Sequence, residues 1–385
     1  MNFIFVSPHF PSNFEPFILK LREQGVNVFG IGDEPYSLLS PTLKDSLNEY
    51  YYVRDMANYD EMYKAVAYLS FKHGKMDRLE SHNEHWLAQD ARLRTDFNIF
   101  GLKLSDIEII KFKSKMKDVF MEANLPVAKG RVFVDDADAR SLAKQLGYPV
   151  LVKPDSGVGA SDTYRLNDEE QLNHFLRHRR FIDYIMEEFL NGTIVTFDGL
   201  CDQNNQLVYT SHMVYDKTTL EYQSMNQETI FRVHPKIPRK LRTLGNRMVK
   251  HFNLRERFFH AEFIYYNKQY YAMEINCRPP GGWCLDAMNY ANDIDLFWEY
   301  ANLVTKNQFL SKPTNQYTVF YVSRNEPFVY RHSIQEVYQR FGVSIRLAKE
   351  VPYAFRDIMG SFAFLVKTPT LSEGKKIVKF IVQKK

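Results

Sequence analysis

The chain opens on an apolar run over residues 2–7 (NFIFVS). A segment over 12–24 with apolar positions at helical spacing follows, then a second apolar run over 26–31. This pattern predicts strand, helix and strand, with Gly25 as the helix stop. The order implies a parallel sheet at the N-terminus. Residues 50–53 (YYYV) predict a third strand and 60–71 a helix, and another helix carries Trp86, Ala88 and Leu93. The 7–11 turn (SPHFP) lacks GxGxxG, so a dinucleotide fingerprint is absent.

The pattern changes past a boundary at 100–104. A helix is expected over 105–123, strands over 125–134 and 149–154 around a helix at 137–146, then a helix over 166–177 and a strand over 181–189. Runs at 195–200 and 207–213 read as a hairpin around 202–205, followed by a helix over 238–252. A second hairpin turns at 266–269. A helix over 294–304 and, past Pro313, a smaller α+β segment close the chain. The expected class is therefore α/β and α+β in three parts: 1–104, 105–312 (divided at 190/191) and 313–385.

Composition narrows the function. The chain has 385 residues, 45% hydrophobic and 25% charged, with a net charge of +4. Arg177-His178-Arg179-Arg180 reads as a solvated helix end, so no nucleic-acid partner is expected. The many aromatics fit large cores and clefts. Cys201, Cys277 and Cys284 make neither a disulfide framework nor a zinc spacing, which fits a reducing cytoplasm. The first ten residues lack the basic region of a signal peptide, and no window approaches a membrane span, so no membrane partner is expected.

The chemistry concentrates in FFHAEFIYYNKQYYAMEINCRPPGG, residues 258–282. Strand alternation puts Glu274, Asn276 and Arg278 on one face, and pairing of the two arms puts Glu262 across from them. Hard oxygen ligands so arranged suit Mg²⁺, with substrate phosphates completing the shell. An arginine beside them can neutralise a transferring phosphoryl group. Upstream, YPVLVKPDSGVGAS (148–161) ends a strand in Lys153 and continues into a small-residue loop that can cradle phosphate oxygens.

These stretches resemble the ATP-grasp enzymes. E-x-F…M-E-I-N-C-R-P-P-G-G is similar to their metal-and-phosphate end, and V-L-V-K-P…G-x-G-x-S to their phosphate loop. The helix IKFKSKMKD leading to Ala123-Asn124-Leu125-Pro126 is similar to the one that carries their upstream phosphate lysine, which aligns with Lys115. The resemblance implies an ATP-grasp fold with an N-terminal Rossmann-like pre-ATP-grasp domain and a small C-terminal α+β region. It implies ATP and Mg²⁺, with Mn²⁺ as an alternative.

By the same resemblance Lys115, Lys153, Ser156, Gly157, Gly159 and Ser161 hold phosphates, and the 156–161 loop closes as a lid. Glu187, Glu188, Phe189 and Leu190 form the adenine hinge. Glu262, Glu274 and Asn276 hold the metal, and Arg278 with Lys153 acts on the transferred group. Glu84 lies in an S-x-x-E pattern that ends the first domain in some relatives. Asp198 and Gly199 fit the positions after the hinge, but Ile194 stands where many members carry a ribose-binding glutamate. His260 and His212 read as structural. The 213–232 segment, with Tyr215, Tyr222 and Arg232, is expected on the acceptor side.

The implied activity is ADP-forming ligation of a small-molecule carboxylate to an amine through an acyl-phosphate. The alternatives are a phosphotransferase or carboxylate–thiol ligase on the same fold, or a nucleotide-binding protein without catalysis. Related folds also form homodimers.

Overall fold

The computed structural model describes residues 1–157, 162–217 and 227–385, and three sheets organise them. The first is parallel, in the order Glu49–Tyr52, Asn27–Gly32, Asn2–Val6, Arg78–Glu80. The last strand has three residues with one apolar side chain, too short a run to show in the sequence pattern. The loops at 7–11 and 81–84 leave the carboxyl ends of these strands, where open parallel sheets place ligand sites.

The second sheet is antiparallel: Gly130–Val132, Tyr184–Glu188, Val150–Pro154 and Tyr164–Leu166, in that spatial order. Helices Asp136–Leu146 and Glu169–His178 cover it, burying Leu142, Leu172 and Phe175. Asp135 and Asp168 cap them by accepting from the N–H groups of Asp138 and Gln171. The expected 125–134 strand shrinks to three residues because Val127 bridges Ala272 of another sheet.

The third sheet follows the order Gln269–Asn276, Arg257–Tyr266, Thr193–Cys201, Met213–Tyr215, Ile230–Val233, Thr318–Arg324, Phe362–Thr368, Ile345–Glu350. Leu207–Ser211 also pairs with Thr193–Cys201. Ile230–Val233 pairs along Thr318–Arg324, so the sheet continues across residue 313 into the C-terminal segment. On one face Phe197, Phe259, Ala261 and Phe263 pack beneath helices Lys113–Glu122 and Arg239–Phe252. On the other, Leu200, Phe231, Phe258 and Tyr321 meet helices Cys284–Asn292 and Leu296–Lys306 and the N-terminal Phe3 and Phe17. Where that second face is polar it carries Thr196, Asp198, His260, Glu262, Glu274 and Asn276.

The single helix expected over 105–123 divides. Glu108–Lys111 ends at Phe112, which is extended (ψ 118°), and Lys113–Glu122 begins after it. Phe112 leaves the helix because its backbone bridges Ser156, just past the strand that carries Lys153. Among the described residues no helix is long and apolar enough to cross a membrane.

Candidate active site

The two arms of the 257–276 hairpin pair in the register the sequence implies. Glu262 lies opposite Glu274 and His260 opposite Asn276, with a bulge just after Glu262. Thr193–Cys201 extends the polar row, setting Asp198 beside His260 and Thr196 beside Glu262. Burial pushes the Glu274 carboxyl up; Lys113 and Lys153 oppose the rise, while the facing Glu262 adds to it. Burial also acts upward on Glu262, but the His260 hydrogen bond and nearby cations bring it below the ordinary carboxylate range. Two carboxylates and an amide oxygen on one face form a hard-donor set that suits Mg²⁺. A divalent cation there would relieve the Glu262–Glu274 repulsion.

His260 sits inside this row, and both of its ring nitrogens are engaged. Nδ1 lies 2.5 Å from Asp198 Oδ1 and Nε2 3.1 Å from Glu262 Oε1. Burial alone would lower its pKa, yet the two carboxylates raise it to about 9. The ring therefore braces the Glu262 carboxylate and has no nitrogen left to act as a base. His212 is buried and held by the Thr196 carbonyl, 2.9 Å from Nδ1.

Across the cleft, Glu187 lies between two buried lysines. Lys117 Nζ is 2.6 Å from one of its oxygens and Lys153 Nζ 2.9 Å from the other. Burial works upward on Glu187, but Lys153 and Lys117 bring it down to about 2. Burial works against the charge on Lys153, and Glu187 more than restores it. The Glu187 carboxylate thus pairs with both lysines. The hinge backbone is partly engaged as well. The N–H of Glu188 donates to the Lys129 carbonyl and that of Phe189 to Pro149, while the Leu190 carbonyl accepts from Gly192. Gly192 is required here, since a Cβ would lie 2.5 Å from the Tyr265 carbonyl oxygen. Ile194 is buried and pairs with Ile264.

The resemblance aligns the upstream phosphate lysine with Lys115. That side chain is exposed, whereas Lys113 and Lys117 are buried. On a helix positions i and i+4 share a face and i+2 points away, so Lys113 and Lys117 turn inward together. Lys113 Nζ reaches the Gly157 carbonyl at 3.4 Å. Asp155 fixes the loop to this helix: its carboxylate accepts from Ser114 N–H (2.7 Å) and Ser114 O–H (2.8 Å), and its carbonyl accepts from Lys113 N–H. Asp155 had no signal in the sequence beyond its place after the lysine strand. Ser156 and Gly157 are exposed at the loop's start, with Gly157 at φ +152°. Gly159, Ser161 and Tyr222 lie outside the described residues.

Arg278 joins the site to the first domain. Its Nε donates to Glu84 Oε2 at 3.2 Å and its Nη1 to the Pro279 carbonyl at 2.9 Å. Asn13 donates to the Gly282 carbonyl at 2.7 Å. Tyr215 lines up in register with Phe231 and Tyr321, whereas alternation turns Arg232 to the other face, where it pairs with Asp216 at 2.7 Å.

A second buried ionic group lies behind Glu84. Glu80 accepts from Arg257 and, at 3.4 Å, from Arg94. Arg94 also holds the carbonyls of Leu102 and Leu79, and Arg257 that of Cys277. Burial acts upward on Glu80, but Arg257 and Arg94 hold it at about 2. Beside it His82 is enclosed by Phe5, Phe14, Phe17, Phe258 and Tyr300, and burial lowers its pKa to about 4.

Two strands paired through facing carboxylates, a lysine strand and a glycine-bearing loop across the cleft are the parts of a known domain, and residues 111–282 match the family described as the ATP-grasp domain. The protein has an ATP-grasp fold. The large chain of carbamoyl phosphate synthase from Clostridium acetobutylicum is 21% identical over 196 residues, which cover 49% of this chain and 18% of that protein. The chain thus spans under a fifth of that relative's length. The L-amino acid ligase of Bacillus licheniformis superposes with a TM-score of 0.75 at 16% identity, covering 98% of this ATP-grasp chain and 96% of that one. The biotin carboxylase domain of 2-oxoglutarate carboxylase from Hydrogenobacter thermophilus, solved with MgADP, ADP and bicarbonate, gives 0.72 at 16% identity and covers 95% and 86%. At such identities the likeness is one of fold.

Proposed function

We propose that this protein is an ATP-dependent, ADP-forming ligase that joins a small-molecule carboxylate to an amine. The observation that carries this reading is the facing pair Glu262 and Glu274, with Asn276 beside them, set within electrostatic reach of Lys153 and Lys113. A protein that only binds nucleotide has no need of buried, mutually repelling carboxylates at that place.

Lys153 and Lys113 receive the ATP phosphates, with Glu187 holding Lys153 in place. The start of the loop at Ser156 and Gly157 supplies backbone contacts. Glu262, Glu274 and Asn276 hold Mg²⁺, which when bound neutralises charge on the phosphate oxygens. An oxygen of the substrate carboxylate attacks the γ-phosphorus, and the bond to ADP breaks. The amine nitrogen then attacks the acyl carbon of the resulting acyl-phosphate, inorganic phosphate leaves, and the nitrogen gives up its proton to solvent. Arg278, once released from Glu84, offsets charge on the transferring group. The work is positioning and electrostatics, so no separate base is assigned. The three free cysteines are buried and fit a cytoplasmic protein.

The test is release of ADP and phosphate from MgATP across a panel of carboxylates, with amine, thiol and hydroxyl acceptors. Turnover that requires one acid and one amine establishes the reaction. Turnover with a thiol or hydroxyl alone, or MgATP turnover that survives loss of Glu274, overturns it.

A further inference from the structure

The helix Arg239–Phe252 reads RKLRTLGNRMVKHF. It holds five Lys and Arg and no acidic residue, more than the whole chain's net charge of +4, so the rest of the protein carries one net negative charge. Leu241, Leu244, Met248, Val249 and Phe252 are buried against the third sheet, while Arg239, Lys240, Arg242, Arg247 and Lys250 are all exposed. None of the five has a carboxylate partner among the described residues. Arg242 donates to the Thr210 hydroxyl at 3.2 Å, and Lys240 reaches the Lys268 carbonyl at 3.4 Å.

This distribution works against the helix. Three cations occupy its first turn, where the macrodipole favours carboxylates. Arg239 with Arg242, and Arg247 with Lys250, are like-charge pairs three residues apart. A surface helix without a task mixes signs, and local rules are broken where a surface has one. At the helix's C-terminal end the cationic surface runs into a cleft of about 550 Å³ lined by Phe252, Arg255, Lys75 and Lys103. The two acidic side chains there are occupied: Asp77 accepts from the Asn2 N–H and Asp106 from the Lys103 N–H.

We propose that the exposed face of Arg239–Phe252, with the cleft at its end, is a docking surface for an acidic segment of a partner protein. Charge complementarity selects an anionic partner, and the extent of the patch selects its kind. From Arg239 to Lys250 the stripe covers roughly 17 Å at about 1.5 Å per residue. The rest of the chain carries one net negative charge, so it offers no broad excess of cations for a long duplex or a flat bilayer. The apolar side of the helix is buried, so it cannot insert into lipid. A helix or extended segment bearing several carboxylates matches the stripe, and the cleft accepts its end. This surface lies on the opposite face of the sheet from Glu262 and Glu274, so a partner held there leaves the cleft open.

Fluorescence anisotropy of the full chain with a labelled Glu/Asp-rich peptide of about 15 residues tests this, with duplex DNA and phosphatidylserine vesicles as parallel probes. Saturable peptide binding is expected, at least about tenfold weaker in R239E/R242E/R247E and weakened by salt as exposed charges are screened. Glutamates in the first turn suit the helix dipole, so the variant keeps its fold. Unchanged MgATP binding by calorimetry checks this, and R239Q/R242Q/R247Q repeats the test with neutral side chains. The proposal is overturned if the peptide does not bind, if both variants bind it as tightly as the wild type, or if DNA or vesicles bind more tightly through the same residues.

Discussion

Two buried carboxylates, Glu187 and Glu80, each sit between two cations and each titrate near 2. Their surroundings differ. The cations at Glu187 are lysines whose compact ammonium groups lie at the edge of the cleft that faces Glu262 and Glu274. Those at Glu80 are arginines fixed to the carbonyls of Leu79, Leu102 and Cys277, and Arg94 is wholly buried. Lysine offers a point charge that can be lent to another anion, whereas arginine's rigid fork, once two of its nitrogens are fixed, is part of the framework. On the proposed function the first cluster exchanges its partner for a phosphate. The second is built to keep Cys277 and Arg278 in register with the first domain.

The most disruptive way to sharpen this contrast lies between the clusters, at the facing Glu262 and Glu274. Glu274→Gln should lower ligase turnover by at least about a thousandfold, on the scale of losing a preorganised electrostatic contact, with the melting temperature nearly unchanged. A large fall in melting temperature would make Glu274 structural. Next comes the direct comparison. Glu80→Ala leaves two buried arginines uncompensated and should cost about 3–5 kcal/mol of stability. Glu187→Ala leaves two buried lysines unpaired at the edge of a cleft and should cost less, about 2 kcal/mol, while weakening MgATP. Equal losses in urea unfolding would erase the distinction. A smaller effect separates neighbours on one helix: Lys113→Ala should weaken MgATP about tenfold, roughly one charged contact, and Lys115→Ala should leave it unchanged by calorimetry.

The smallest effect is a pH slope. His82 is held neutral with its pKa lowered from the ordinary 6.5 to about 4, so the unfolded chain takes up its proton first. Stability should fall as pH drops from about 6.5 towards 4. The Glu80 and Glu187 pairs, with depressed pKa values, keep their contribution above the ordinary carboxylate range and lose it as pH falls towards 2. In His82→Phe the loss between 6.5 and 4 should flatten while the lower limb remains, as read from melting temperature against pH.

Much of this was legible in the sequence because the chemistry lies on regular elements. Glu262, Glu274 and Asn276 follow from strand alternation, and the opening strand–helix–strand from its periodicity. Four lysines at every second position give no signal of which face is buried, so the pattern did not show that Lys113 and Lys117 turn inward while Lys115 is exposed. The break at Phe112 settles that, and its cause, a bridge to Ser156, is long-range. The Arg78–Glu80 strand and the Cys284–Asn292 helix escaped because each is short or follows a proline–glycine run. Nor could local pattern show that Glu84 and Arg278, 194 residues apart, would meet.

The continuity of the third sheet across residue 313 bears on how the chain is made. Ile230–Val233 finds its second neighbour only in Thr318–Arg324, and that strand finds its own in Phe362–Thr368. During synthesis from the N-terminus, the sheet's growing margin stays an open hydrogen-bonding edge until nearly the last residues emerge. A product cut short before residue 318 would keep that edge exposed, an invitation to pair with other chains.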